Sequence, residues 1–256
     1  GDWSSDVCSS DLVGLLVHDE AAGAERVLKV ALNTEAGARL GDEAAVLANL
    51  SSPRIVRLVE GPILVGGRPA LVLDEAGRET LADELRELGR LPIDRLQTYG
   101  TDLMDALVML DAKGVDHRDI KPSNLGVQEG RGDRKRHLVL FDFSLTNAAA
   151  SAVGAGTPPY LDPFFDEQRK SFDSAAERYS AAVVLFEMAT GETPRYGDGT
   201  DDPGAISDDV TLERHMFDQA LADGLLAFFA KALARSPLER HETAKAMREA
   251  WVHLFT

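Results

Sequence analysis

Cysteine is almost missing from this chain: among 256 residues only Cys8 is one. A single thiol cannot close an internal disulfide or supply a cysteine-based zinc site, and a cytoplasmic protein is the expectation. Long apolar runs are missing as well. No stretch approaches the roughly 20 apolar residues of a membrane-crossing helix, so no membrane segment is expected. Positive charge is short: 27 Lys and Arg face 43 Asp and Glu, a formal net charge of −16. So acidic a surface argues against nucleic acid or anionic lipid as partners of this domain. The histidines His18, His137, His215, His241 and His253 are scattered without metal-ligand spacing. What is present is apolar material, 44% of residues, enough for one or two sizeable cores.

Residues 1–12 (GDWSSDVCSSDL) are polar and aperiodic, unlike the rest of the chain. Read back into codons, residues 2–12 resemble the in-frame translation of a sequencing-library adapter. They are set aside as non-native, and the native chain is expected to begin upstream.

Beyond them, residues 13–18 and 26–32 are short apolar runs around the turn Ala22-Gly23, which predicts a hairpin. Residues 41–50 carry Val46, Leu47 and Leu50 at helical spacing, closed by Ser51-Ser52-Pro53. Residues 55–64 and 69–73 read as strands joined by Gly66-Gly67. From Thr80 the pattern turns helical, most clearly over 93–112. A strand is expected at 138–143, and helices at 175–190, 221–233 and 244–254. Residues 130–136 form a charged, glycine-punctuated loop. Strands first and helices later predict an α+β protein.

One string concentrates chemistry: His117-Arg118-Asp119-Ile120-Lys121-Pro122-Ser123-Asn124, followed by Asp142-Phe143-Ser144 at the end of a strand. Phosphoryl transfer needs a carboxylate to orient the attacking hydroxyl and a cation on the migrating phosphate. It also needs oxygen ligands for Mg²⁺. One loop offers the carboxylate Asp119, the cation Lys121 and the amide Asn124, with Asp142 further on, and the combination resembles the HRDxKxxN and DFG motifs of eukaryotic-type serine/threonine protein kinases.

That resemblance runs from about Val13 to the chain end and implies a bilobal fold. A small β-rich lobe (13–75), lacking its first strand and glycine-rich loop, would precede a complete helical lobe (76–256). It implies ATP and Mg²⁺ as cofactors and a protein Ser/Thr hydroxyl as acceptor. Asp119 would be the catalytic carboxylate, Lys121 the phosphate contact, and Asn124 and Asp142 the metal ligands. Lys29 would hold the α- and β-phosphates and pair with Glu43. Leu73, Asp74, Glu75 and Ala76 match the gatekeeper and hinge. Thr157, in Gly156-Thr157-Pro158-Pro159-Tyr160, would bond Asp119 and Lys121. Val27 above the adenine and Gly126 below it are larger and smaller than usual, so a compensating exchange of volume is expected between them.

Four features depart from the family pattern. The glycine-rich loop is absent, and Ser144 replaces the glycine of DFG. The APE motif reads Asp162-Pro163-Phe164, which removes the usual glutamate partner of Arg240 and makes Asp162 the expected substitute. Glu177 stands where an aspartate usually accepts hydrogen bonds from the catalytic-loop backbone. Strings such as FDFSL and GTPPYLDPFF resemble kinase domains of bacterial phage-defence proteins of the Pgl/BREX type, which implies a piece of a larger protein. A pseudokinase scaffold and, less favoured, a small-molecule phosphotransferase are the competing readings.

Overall fold

The computed structural model of the chain describes residues 11–130 and 135–256. The expectation that residues 1–12 are foreign lies almost wholly outside them. Four antiparallel strands form the N-terminal sheet: β1 (Leu12–Asp19), β2 (Ala24–Ala31), β3 (Leu58–Val65) and β4 (Arg68–Asp74), in the order β1-β2-β4-β3. Lys29 faces Leu71, and Val27 faces Leu73, in the central β2–β4 pairing.

Helix α1 (Thr34–Leu47) covers this sheet with Ala36, Leu40, Ala44 and Leu47. It begins seven residues before the stretch its apolar spacing predicts. Asn33 caps it, the side chain accepting from the Ala36 N–H at 2.8 Å. Gly37 and Gly41 weaken the sequence signal, yet Gly37 serves packing: a Cβ there would lie 3.0 Å from the Pro69 ring. The strand expected from Ile55 starts only at Leu58. Residues 54–56 instead cross to a second sheet, Val56 N–H donating to Leu140 O and Leu140 N–H to Arg54 O, both at 2.9 Å.

That second sheet holds β5 (Glu79–Thr80), β6 (Leu125–Glu129) and β7 (Arg136–Leu140), in order. Strand β7 stops before Phe141, short of the expected Phe143, because Asp142 turns the chain at φ +64°. The helices are α2 (Leu81–Leu88), α3 (Ile93–Lys113), α4 (Ser174–Thr190), α5 (Ala222–Ala232) and α6 (Ala244–His253). Thr80 and Asp83 close a reciprocal cap on α2. Helix α4 is buried on nearly every side, as its run 181–186 of Ala, Val, Leu and Phe requires. Trp251 of α6 lies flat enough on Gly100 of α3 that a Cβ there would sit 2.3 Å from the indole, so both Trp251 and Gly100 are packing residues. The α+β architecture has its sheet in the N-terminal region and its helices in the C-terminal region, over one continuous core. Among the described residues no helix is long and apolar enough to cross a membrane.

Candidate active site

Lys29 projects from β2 toward α1, where its Nζ meets Glu43 Oε2 at 2.8 Å and Oε1 at 3.1 Å. The same Nζ donates to Asp142 Oδ1 at 2.6 Å. A charge inside the fold is costly unless paired, and Lys29 is paired twice. Burial pulls its pKa down, but Asp142 and Glu43 outweigh that and hold it above the ordinary lysine value. Burial likewise pushes Asp142 up, and Lys29 together with the Ser144 hydroxyl holds it below the usual carboxylate range. Glu43 is different: its burial, against the pull of Lys29, leaves it raised. It is also fixed by the Phe143 N–H, which donates to Oε1 at 3.2 Å.

The loop between α3 and β6 carries the second cluster. Asp119 Oδ2 meets Lys121 Nζ at 2.8 Å, and Asp119 Oδ1 accepts the Thr157 hydroxyl at 2.8 Å. Lys121 Nζ closes the triangle on Thr157 Oγ1 at 2.7 Å. The amide nitrogen of Asn124 donates to the Asp119 backbone oxygen at 2.8 Å and to Oδ2 at 3.0 Å. Its Oδ1 is buried and has no partner, an unmet acceptor in a place where one costs about 1–3 kcal/mol.

Two residues hold this loop from behind. His117 is fully buried, its ring edge-on to Phe143 at 4.6 Å. Its Nδ1 accepts from Asp119 N–H at 3.3 Å, so Nε2 carries the proton and donates to Phe141 O at 3.0 Å. Burial holds the ring neutral, its pKa lowered. Glu177 of α4 takes the His117 N–H on Oε1 at 2.7 Å and the Arg118 N–H on Oε2 at 3.0 Å. The extra methylene of this glutamate is thus accommodated with both oxygens engaged. Arg118 itself sits at φ +68°, donates to Ala149 O at 2.9 Å and lies 4.8 Å from the Phe172 ring centre. Arg118 and Asp142 are the two non-glycine residues at positive φ among the described residues; one precedes Asp119 and the other pairs with Lys29.

The remaining sequence candidates are placed differently from one another. Val27 is partly buried against the core. The Asp74 side chain is held by Arg26 and by Arg57, whose Nε lies 2.7 Å from Oδ2. Gly126 lies against a neighbour that its sequence does not announce. A Cβ on it would lie 2.3 Å from the Ala76 carbonyl oxygen, and one on Gly77 2.1 Å from Val127 O. The absence of a side chain at 126 therefore lets the Ala76 backbone approach β6. Arg240 donates to Asp162 from Nη1 at 2.5 Å and Nη2 at 3.1 Å, the partner expected from the sequence. Arg169, which no sequence motif marks, joins the same carboxylate at 2.6 Å.

A lysine bridging a helix glutamate and a strand-end aspartate, set beside an Asp–Lys–Thr triangle, defines a phosphotransferase centre of the protein-kinase kind. The chain belongs to the protein kinase domain family, whose model matches residues 16–252. It is 42% identical to the Probable kinase PglW of Streptomyces coelicolor, over 94% of this chain and 17% of that protein. It is 35% identical to the serine/threonine-protein kinase PkaA of the same organism, over 68% of this chain and 33% of that one. With the serine/threonine-protein kinase PknB of Mycobacterium tuberculosis it shares 30% identity, over 82% and 34% respectively. The chain thus spans about a third or less of the length of these relatives.

Proposed function

We propose that this chain is the catalytic domain of a serine/threonine protein kinase that transfers the γ-phosphoryl group of ATP to a protein hydroxyl. The observation that carries the reading is the Asp119–Thr157–Lys121 triangle beside the unpartnered Asn124 Oδ1. Asp119 is placed to orient an acceptor hydroxyl, and Lys121 to neutralise charge on the migrating phosphoryl. The donor set fits Mg²⁺: a free amide oxygen on Asn124 and the carboxylate of Asp142, kept ionised by Lys29. Bound there, the ion would neutralise phosphate charge. Lys29, steadied by Glu43, would hold the nonreacting phosphates.

A cavity of about 400 Å³ opens beside Lys121 and Thr157, lined further by Leu85, Arg86, Tyr160 and Glu187, and offers the acceptor segment a groove. In this reading the sheet region through Glu75 and the helical region from Ala76 embrace the nucleotide from two sides. The likeness to the much longer PglW, of which this chain matches 17%, supports reading the domain as one part of a larger protein of the Pgl branch. Radiolabel transfer from ATP to a generic basic protein tests the reading. Label on free aminoglycosides instead points to a small-molecule phosphotransferase, and nucleotide binding without transfer points to a pseudokinase.

A further inference from the structure

Asp162 has no exposed side-chain surface, and two guanidinium groups surround it. Arg240 takes both carboxylate oxygens and then turns away, donating to Ala234 O at 2.8 Å. Arg169 turns the other way. Its Nη1 meets Asp162 Oδ2 at 2.6 Å, while Nε and Nη2 grip Asp173 at 2.9 and 2.6 Å. The guanidinium also lies 4.3 Å from the centre of the Phe165 ring.

Asp173 is the cap of α4, Oδ1 accepting from Ala176 N–H at 2.9 Å. One turn into that helix stands Glu177, which holds the backbone of His117 and Arg118 beside Asp119. At the other end, Asp162 closes the short segment that begins at Thr157, whose hydroxyl bonds Asp119 directly. Asp119 is therefore reached from two directions, through Thr157 and through Glu177, and Arg169 joins the two routes.

We propose that Arg169 is a positioning residue that couples the 157–162 segment to the catalytic loop through the α4 cap, and so aligns the acceptor hydroxyl with Asp119. The catalytic consequence rests on the kinase reading, whereas the coupling rests on geometry alone. Removing Arg169 leaves Asp162 held at two points by Arg240, so the segment stays folded while its direction relative to α4 is released. A lysine cannot replace it, because one ammonium does not form two-point bonds to Asp173 while reaching Asp162.

The test compares Arg169→Gln and Arg169→Lys with the parent protein, by amide hydrogen exchange and by steady-state kinetics. The reporters are the N–H groups of His117 and Arg118, bonded to Glu177, and of Tyr160, bonded to Thr157 O at 3.0 Å. In Arg169→Gln all three exchange about tenfold faster while β2 amides keep their protection. With a fixed acceptor protein, kcat/KM falls about tenfold or more with the KM for ATP within about twofold, and lysine restores less than half. Faster exchange confined to 166–173, or spread equally over the sheet, overturns the coupling. If the parent protein transfers no phosphate the kinase reading fails, and the exchange pattern still decides the coupling.

Discussion

Gly126 and Ala76 touch backbone to backbone, with room for no side chain between them: a Cβ on Gly126 would lie 2.3 Å from the Ala76 carbonyl oxygen. Residue 76 rests on strand β6, and the glycine is the reason it can. Gly126→Ala must displace the hinge, so nucleotide affinity falls about tenfold or more, read by titration calorimetry. Val27→Ala is expected not to restore it, because the Ala76 backbone stands nearest to a Cβ at 126. Additive losses in the double-mutant cycle are expected; a rescue would instead show a volume exchange between Val27 and Gly126.

The Asp162–Arg240 pair is buried on both sides, with 0% and 1% of the side chains exposed. Removing one partner of a buried pair strands the other. Asp162→Ala leaves two guanidinium groups facing a vacated site and costs about 3–5 kcal/mol in denaturant unfolding. Asp162→Glu restores the charge with an extra methylene and loses less. Equal stability of the alanine variant and the parent would show the pair to be dispensable.

Glu177 gives a pH dependence with a definite sign. Burial pushes its pKa up to about 8 from an ordinary value of 4.5, despite the two backbone N–H donors. Between those values the folded chain holds a proton that the unfolded chain has released. This group's contribution to stability is therefore fully present below pH 4.5 and declines as pH rises through 8, at up to about 1.4 kcal/mol per pH unit. Urea midpoints between about pH 5 and 9 should drift downward, and Glu177→Gln, which does not ionise, should flatten the drift. An equal drift in both proteins would assign it elsewhere.

The metal reading predicts a dose response. Asp142→Asn removes the carboxylate that Lys29 keeps ionised, so the Mg²⁺ concentration for half-maximal transfer rises about tenfold or more. Chelation of Mg²⁺ abolishes transfer in the parent protein. An unchanged Mg²⁺ response in Asp142→Asn would remove this residue from the metal site.

Much of this was legible in the sequence because the informative residues are close together. His117 to Asn124 form one loop, and their types announce the chemistry wherever the loop lies. Helices α3 to α6 were readable because apolar spacing and a tightly packed core agree. The start of α1 was not, since Gly37 and Gly41 depress the signal while Gly37 serves packing, and Asn33 alone marks the cap. Strand β6 was obscured by Gly126, whose value lies in a contact with the distant Ala76. Arg169 left no trace, because Asp162 and Asp173 converge on it only once the segment after Thr157 has folded back onto α4.

The most direct measurement is phosphoryl transfer by Asp119→Asn beside nucleotide binding by the same protein. Asparagine keeps the shape and a bond to Thr157 but gives up the charge that pairs with Lys121 and orients the acceptor hydroxyl. The expected result is loss of transfer by about a thousandfold or more, with ATP affinity changed by less than about threefold. Turnover at the parent rate would contradict the role of Asp119 and with it the assignment of this site.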